Sequence, residues 1–198
     1  MRVGVFGGTF DPPHVGHILT AGDAYETLAL DTLIFVPASG QPFKVNTPAI
    51  ASPEDRLEMV RLAVGDDPRF EVSGVEIERG GLSYTVETLE ALAVSRPGAK
   101  VFLILGIDAL GSFKRWRSPE RIRELATIAV LSRGDSSLDV PESGAGAVVR
   151  VSSRRVDVSS SEIRRRLREG KPIMGFVAES VERYIATANL YKSESPDA

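Results

Sequence analysis

The chain has 198 residues, no cysteine, and 24 Lys and Arg against 27 Asp and Glu, a formal charge of −3. This length can bury a sizeable core within one domain, the charge exerts no global pull toward nucleic acid, and the absence of cysteine excludes disulfides and thiolate chemistry. No apolar run approaches the ~20 residues of a membrane helix, and the N-terminus enters a strand without a secretory signal, so a cytoplasmic protein is expected.

Val3 to Phe6 is a short apolar run. It leads into Gly7-Gly8-Thr9-Phe10-Asp11-Pro12-Pro13-His14-Val15-Gly16-His17, after which Ile18, Ala21, Tyr25 and Leu28 share one helical face. Strand, glycine turn and helix start together aim backbone N–H groups and a positive dipole end at an anion. Gly7 and Gly8 let a ligand approach the main chain. His14 and His17 are the only two histidines, and their spacing puts them on one side of the helix. Two histidines could ligate a metal, but there is no third histidine, no cysteine and no His-Glu-x-x-His spacing. No protein-held metal is therefore expected. Two plain surface histidines are the bland alternative, and a phosphate cradle is the reading preferred.

Thr32 to Val36 is a β-branched run ending at Pro37, so the first two strands should be parallel with a right-handed crossover. Pro37 to Lys44 is a turn-rich loop leaving the carboxyl end of the second strand, the edge where open α/β sheets bind ligands. Lys44 is a candidate anion contact there, with a solvated lysine as the alternative. Ser52-Pro53-Glu54-Asp55 reads as a helix start, with Leu57, Val60 and Val64 inward and Asp66-Asp67-Pro68 as its stop. Phe70 to Ser73 and Val75 to Ile77 read as short extended pieces, the second alternating with Glu76 and Glu78. After the Gly80-Gly81 turn, Ser83-Tyr84-Thr85 opens a helix carrying Val86, Leu89 and Leu92, with Thr85 read as the N-cap.

Val101 to Leu105 is apolar throughout, as in a central parallel strand buried on both faces. It ends in Gly106-Ile107-Asp108, which puts a carboxylate at the histidine edge unless Asp108 is only an N-cap. Phe113 and Trp116 follow, and an aromatic there can stack a flat ring. Ser118-Pro119 starts a helix with Ile122 and Leu125 inward. Thr127 to Leu131 is a strand followed by Ser132-Arg133-Gly134, 135–146 reads as a surface loop, and Val148 to Val151 is the last strand. Val158-Ser159-Ser160-Ser161-Glu162-Ile163-Arg164 opens a helix whose hydroxyls, backbone donors and Arg164 form a second anion cradle. From Arg150 to Lys171 there are eight basic residues and three acids, which solvation of a helix face would explain. Ala178 to Ala188 reads as a helix, Leu190-Tyr191 packs back on the core, and 193–198 reads as a disordered tail. The expectation is one domain over 1–192, an α/β, Rossmann-like, doubly wound and mainly parallel sheet of about five or six strands with helices on both faces. The glycine turn is not Gly-x-Gly-x-x-Gly, which argues against a bound redox dinucleotide.

Gly-Gly-Thr-Phe-Asp-Pro-x-His-x-Gly-His resembles the signature of the nucleotidyltransferase superfamily, whose His-x-Gly-His is shared in outline with class I aminoacyl-tRNA synthetases. Tyr84-Thr85-x-x-Thr88-Leu89, Gly106-x-Asp108 with Phe113 and Trp116, and Ser159-Ser160-Ser161-x-Ile163-Arg164 narrow the resemblance to the bacterial nicotinate-nucleotide adenylyltransferases, nearly end to end. Phe43, Ile107 and Ser161 depart from the family pattern, the first two at the mononucleotide pocket. The resemblance implies transfer of the adenylyl group of ATP to nicotinate mononucleotide, releasing pyrophosphate, with Mg²⁺ bridging ATP oxygens. His14, His17 and Arg164 would then be catalytic. ATP contacts would be Gly7, Gly8, Thr9, Phe10, His14, His17, Gly106, Asp108, Arg133, Ser160, Ser161 and Arg164. Lys44, Thr85, Asp108 and Trp116 would serve the mononucleotide, with Arg117 either joining them or solvated. The implied partners are ATP and nicotinate mononucleotide, without nucleic acid or membrane, and a homo-oligomer is left open. Alternatives are a phosphopantetheine or nicotinamide mononucleotide adenylyltransferase, and a non-catalytic nucleotide- or RNA-binding module.

Overall fold

The computed structural model describes residues 1–44, 48–133 and 148–192; of Lys44 and Arg133 it describes the backbone alone. The surface loop expected at 135–146 and the tail expected at 193–198 lie outside the described residues. Six strands, β1 (Arg2–Gly8), β2 (Thr32–Pro37), β3 (Phe70–Val72), β4 (Lys100–Gly106), β5 (Thr127–Arg133) and β6 (Val148–Ser153), form one sheet. Its order is β3-β2-β1-β4-β5-β6 and every pairing is parallel. The chain runs outward from β1 to β3, returns to β4 beside β1, and runs outward the other way. The crevice above the β1–β4 boundary is therefore the topological switch point, where doubly wound sheets bind ligands.

Strand side chains alternate between faces, and each face carries its own core. Phe6, Phe35, Phe102 and Ile104 pack with Ala21 and Ala24 of α1 (Val15–Thr27), with Leu28 just after it, and with Val60 and Val64 of α2 (Pro53–Val64). Val3, Val5, Leu103 and Leu105 face Val86 and Leu89 of α4 (Thr85–Ser95) and Ile122 of α6 (Pro119–Leu125). A third cluster joins Met59 of α2, Ile163 of α7 (Ser160–Arg168), and Val181 and Ile185 of α8 (Glu179–Thr187), together with Tyr191. No helix among the described residues is long and apolar enough to cross a membrane.

Two local expectations are corrected. Val75 to Ile77 is not extended; it belongs to the short helix α3 (Val75–Arg79). The alternation misled because its premise is reversed: Glu76 is buried, while Val75 and Ile77 are only partly so. Thr85 is not the N-cap of α4 but its first helical residue, after Tyr84. The remaining short helix, α5 (Ile107–Ser112), starts directly after Gly106 and passes into a 3-10 turn at Phe113–Arg115.

Two buried charges tie the sheet edge to the third cluster. Arg56 of α2, 1% exposed, donates to the carbonyls of Thr9 (2.8 Å), Ala38 (2.6 Å), Ser39 (3.0 Å) and Ala51 (3.3 Å). The Asp11 carboxylate accepts from the N–H groups of Ile50 (2.8 Å) and Ala51 (3.1 Å) and from the Tyr191 hydroxyl (2.8 Å). Burial beside that carboxylate pushes the Tyr191 hydroxyl pKa up, so it stays a donor. Removing the guanidinium leaves several buried carbonyls unmet, whereas removing the hydroxyl costs one hydrogen bond to a charge. Arg56→Leu is expected to lose about 3 kcal/mol or more and Tyr191→Phe about 2 kcal/mol of unfolding free energy. Urea unfolding of both variants checks this; equal midpoints for Arg56→Leu and the parent chain would refute the argument.

Candidate active site

Two cavities open at the carboxyl ends of the central strands. The first, about 740 Å³, is walled by Gly7 and Gly8 of β1, Gly106 at the end of β4, Phe43, Glu76, Ser83, Tyr84, Thr85, Asp108, Trp116 and Arg117, among others. The second, about 660 Å³, is walled by Gly8, Thr9, Phe10, Asp11, His17, Arg56, Ser160, Ser161 and Arg164, among others. Gly8, Ala38 and Gln41 belong to both walls, so the cavities meet where β1 and β2 end.

His17, one turn into α1, accepts the His14 N–H at Nδ1 (3.1 Å). A neutral ring that accepts at Nδ1 carries its proton on Nε2, which makes it a donor. Neutrality is secured by burial: desolvation lowers the His17 pKa to about 3, with His14 contributing, and that of His14 to about 4. The two rings stack at 3.8 Å. Behind His17, Phe10 presents its ring edge-on at 5.0 Å. Phe10 is 2% exposed with φ of 50°, and its ring lies so close under Gly8 that a Cβ there would meet it at 2.8 Å. A Cβ on Gly16 would likewise meet His14 Nδ1 at 2.9 Å. The glycines of the motif thus make room for the ring stack as well as for a ligand. His14 is half-buried, is not on the wall of either cavity, and has an Nδ1 without a hydrogen-bond partner among the described residues. It supports His17 from behind. The Thr9 hydroxyl, at the rim of the second cavity, is also buried and unpartnered among the described residues.

The start of α7 shares the second cavity's wall with His17. Ser159 is its N-cap, accepting the Glu162 N–H (3.2 Å), and the Ser160 hydroxyl donates to the Pro12 carbonyl (2.8 Å). Arg164 donates to the Asp11 carbonyl (2.6 Å) and the Ser161 hydroxyl (3.2 Å), with the Asp11 carboxylate 3.7 Å away. The arginine is held on the cavity wall without being tightly neutralised. The neighbouring basic residues are engaged within the chain: Arg154 with Asp23, Arg155 with Asp157, Arg165 with Glu169, and Arg166 with the Pro172 carbonyl.

The ATP contacts implied by the sequence lie along the two adjoining cavities. Gly8, Thr9, Phe10, His17, Ser160, Ser161 and Arg164 share the second cavity; Gly7, Gly106 and Asp108 line the first, with Thr85, Trp116 and Arg117. The side chains of Lys44 and Arg133 lie outside the described residues. Trp116 is half-buried, and its indole N–H donates to the Ser112 hydroxyl (3.2 Å). Asp108 is exposed in the first turn of α5. Arg117 is paired with Glu87 (2.7 Å) and sits over the Tyr84 ring at 4.6 Å. Its charge is therefore shared with a carboxylate rather than offered alone to the cavity. Phe43 is 53% exposed on the wall, with the Arg115 guanidinium 5.3 Å from its ring centre. Ile107 is 43% exposed and is not among the wall residues, so its bulk does not narrow the first cavity.

Four wall or support residues escaped the sequence reasoning. Asp11 stood inside the quoted motif without a role of its own; Arg56 was not singled out; Tyr191 was taken only as packing; Glu76 was read as part of an extended piece. The available signal was weak: an acid inside a glycine-proline turn, and a Tyr in an otherwise polar C-terminal stretch.

The cytidylyltransferase-like family model matches residues 5–166. A nicotinate-nucleotide adenylyltransferase of Gemmatimonas aurantiaca is 44% identical, covering 97% of this chain and 93% of its own. One of Thermus thermophilus is 43% identical over 97% of this chain and 100% of its own. Among solved structures, the Plasmodium falciparum nicotinic acid mononucleotide adenylyltransferase complexed with NaAD superposes with a TM-score of 0.75 at 17% identity, covering 96% of this chain and 97% of that one. With that fold and this extent of identity, the chain belongs to the cytidylyltransferase-like family and, within it, to the nicotinate-nucleotide adenylyltransferases.

Proposed function

We propose that the chain transfers the adenylyl group of ATP to nicotinate mononucleotide, forming nicotinate adenine dinucleotide and pyrophosphate. The observation that carries this reading is the pair of cavities meeting at Gly8, one walled by a neutral histidine donor, hydroxyls and Arg164, the other by Trp116 and Thr85. The mononucleotide 5′-phosphate attacks the α-phosphorus of ATP in line, and the bond to the β-phosphate oxygen breaks. That nucleophile is already anionic at neutral pH, so positioning and charge stabilisation suffice without a general base. His17 Nε2–H donates to the α-phosphate as charge develops, and His14 fixes the His17 ring. Arg164 and the start of α7 take the β- and γ-phosphates. Thr85 and Trp116 hold the pyridine ring. Asp108, which lines the first cavity, is assigned a ribose hydroxyl. Among the described residues no three His, Cys, Asp or Glu groups cluster to hold a metal. The phosphate wall offers hydroxyls, a neutral imidazole, two guanidinium groups and one carboxylate, Asp11, already engaged by two N–H groups and Tyr191, so Mg²⁺ is assigned to ATP and would arrive with that substrate. Residues 1–192 are proposed to act as one domain, and a cytoplasmic location is proposed from the cysteine-free composition.

Three outcomes test the reading, all by pyrophosphate release with ATP, Mg²⁺ and mononucleotide. His17→Ala is expected to lower kcat about a hundredfold, the effect of one preorganised donor to developing charge. A variant keeping more than about a third of kcat would remove His17 from the mechanism. In the parent enzyme these histidines are uncharged above pH 5, because their pKa values are about 3 and 4. Accordingly any change in kcat from about pH 6 to 8 should follow the substrate phosphates alone, whose second pKa is about 6, and so recur in His17→Ala; a step near the unperturbed histidine value that His17→Ala lacks would contradict the buried neutral pair. Arg164→Ala should raise KM for ATP more than KM for the mononucleotide, and Lys should rescue it poorly.

Substrate choice gives a further outcome. A helix start at Thr85 and backbone N–H groups after Trp116 favour a carboxylate over a carboxamide. Nicotinate mononucleotide is expected to be preferred over nicotinamide mononucleotide by about tenfold or more in kcat/KM, which needs about 1.4 kcal/mol. Thr85→Val should erode mainly that preference, and Trp116→Ala should weaken both substrates. Equal product from the two mononucleotides in competition would sink the carboxylate assignment while leaving adenylyl transfer intact.

A further inference from the structure

Glu76 is the second residue of α3, 7% exposed, on the wall of the first cavity. Its carboxylate accepts the Thr88 hydroxyl at 2.6 Å and also the Ser83 hydroxyl. Ser83 is bound on its other sides as well. Its oxygen accepts the Ser39 N–H (2.9 Å), and its own N–H donates to the Gly40 carbonyl (2.7 Å). One carboxylate therefore grips the residues on both sides of Thr85, two before it and three after it, and joins them to the loop that leaves β2. The same loop is held from the other cavity, where Arg56 takes the Ser39 carbonyl.

A buried acid needs a reason to be there. Desolvation pushes the Glu76 carboxyl above its ordinary range, with Glu87 adding to the rise and Thr88, Ser83 and Arg79 only partly opposing it. An apolar residue would avoid that penalty and would hold α3 against α4 just as well. What an apolar residue cannot do is fix two hydroxyls at set directions. Thr85 itself is half-buried and lines the same cavity as Trp116.

We propose that Glu76 is a positioning residue of the mononucleotide subsite, setting the Ser83–Thr85 turn through the Ser83 and Thr88 hydroxyls. It does not touch the reacting atoms. The inference rests on the assignment of the first cavity to the mononucleotide, so Trp116→Ala is run beside the Glu76 variants as a control on that assignment.

The experiment is steady-state kinetics with ATP and nicotinate mononucleotide varied separately, with thermal unfolding midpoints recorded for each variant. Glu76→Ala is expected to raise KM for the mononucleotide about tenfold, as for the loss of two hydrogen bonds, while KM for ATP stays within about twofold. Glu76→Gln keeps an acceptor for Thr88 and a partner for Ser83, so it should return KM to within about threefold of the parent. Thr88→Val should reproduce part of the Glu76→Ala defect and add little to it in the double variant, since both break one contact. A KM rise shared equally by both substrates, or a Glu76→Gln variant as impaired as Glu76→Ala, would overturn the proposal. If Glu76→Ala does not fold, Thr88→Val and Ser83→Ala carry the same KM comparison with the same criteria. A normal mononucleotide KM in Trp116→Ala would instead indict the cavity assignment. A Trp116→Ala defect without one in the Glu76 and Thr88 variants would indict Glu76 alone.

Discussion

The structure depends on a constraint at the glycine turn: a backbone that bends sharply at the sheet edge leaves polar groups in a place that water does not reach. Such groups must find partners inside the protein. Arg56 supplies donors for four carbonyls drawn from the turn, the loop after β2 and the segment before α2. Asp11 supplies acceptors for two N–H groups of that segment and for Tyr191. The two charges are complementary, and between them they lock together segments far apart in sequence. These hydrogen bonds tie the cavity floor to segments on either side of it, and fixed geometry is what catalysis by positioning requires.

The same burial explains the histidines. Packed against Phe10 and each other, they shed their charge, and the His14 backbone N–H donated to Nδ1 dictates which nitrogen of His17 keeps the proton. A neutral donor can approach a phosphate without forming a tight ground-state ion pair, and it strengthens its hydrogen bond as negative charge accumulates. In the proposed reaction the cation is Arg164, which a carbonyl, a hydroxyl and the Asp11 carboxylate at 3.7 Å orient. The division of labour is thus one oriented neutral donor at the centre and one cation at the periphery.

Some of this was legible in the residues. The apolar runs at Val3 to Phe6 and Val101 to Leu105 lie in central strands, because a run long enough to be buried on both faces has few other homes in an α/β chain. The serine cluster before Arg164 does start a helix, with Ser159 as its cap. Other features were opaque. Glu76 and Glu78 alternate with apolar residues as a strand would, yet the segment is helical, because Glu76 finds two hydroxyl partners only after α4 packs beside it. Arg117 could be read as facing inward or outward, and Glu87 on α4 decided it.

What the sequence by itself determined is the list of chemical groups and the order of most strands and helices that carry them, including the glycine turn, the serine-capped helix start before Arg164 and the aromatic after β4. Local propensity and short motifs are enough for that, since each depends on neighbours a few residues away. Only the tertiary structure decided which of these groups face one another. It separated Gly106 and Asp108 from His17 into adjoining cavities, set His14 behind His17 rather than on a wall, and made Asp11, Arg56 and Tyr191 into one buried network. The reason is physical: desolvation and hydrogen-bond satisfaction are properties of a site, and the residues that meet there come from positions as distant as Thr9 and Tyr191.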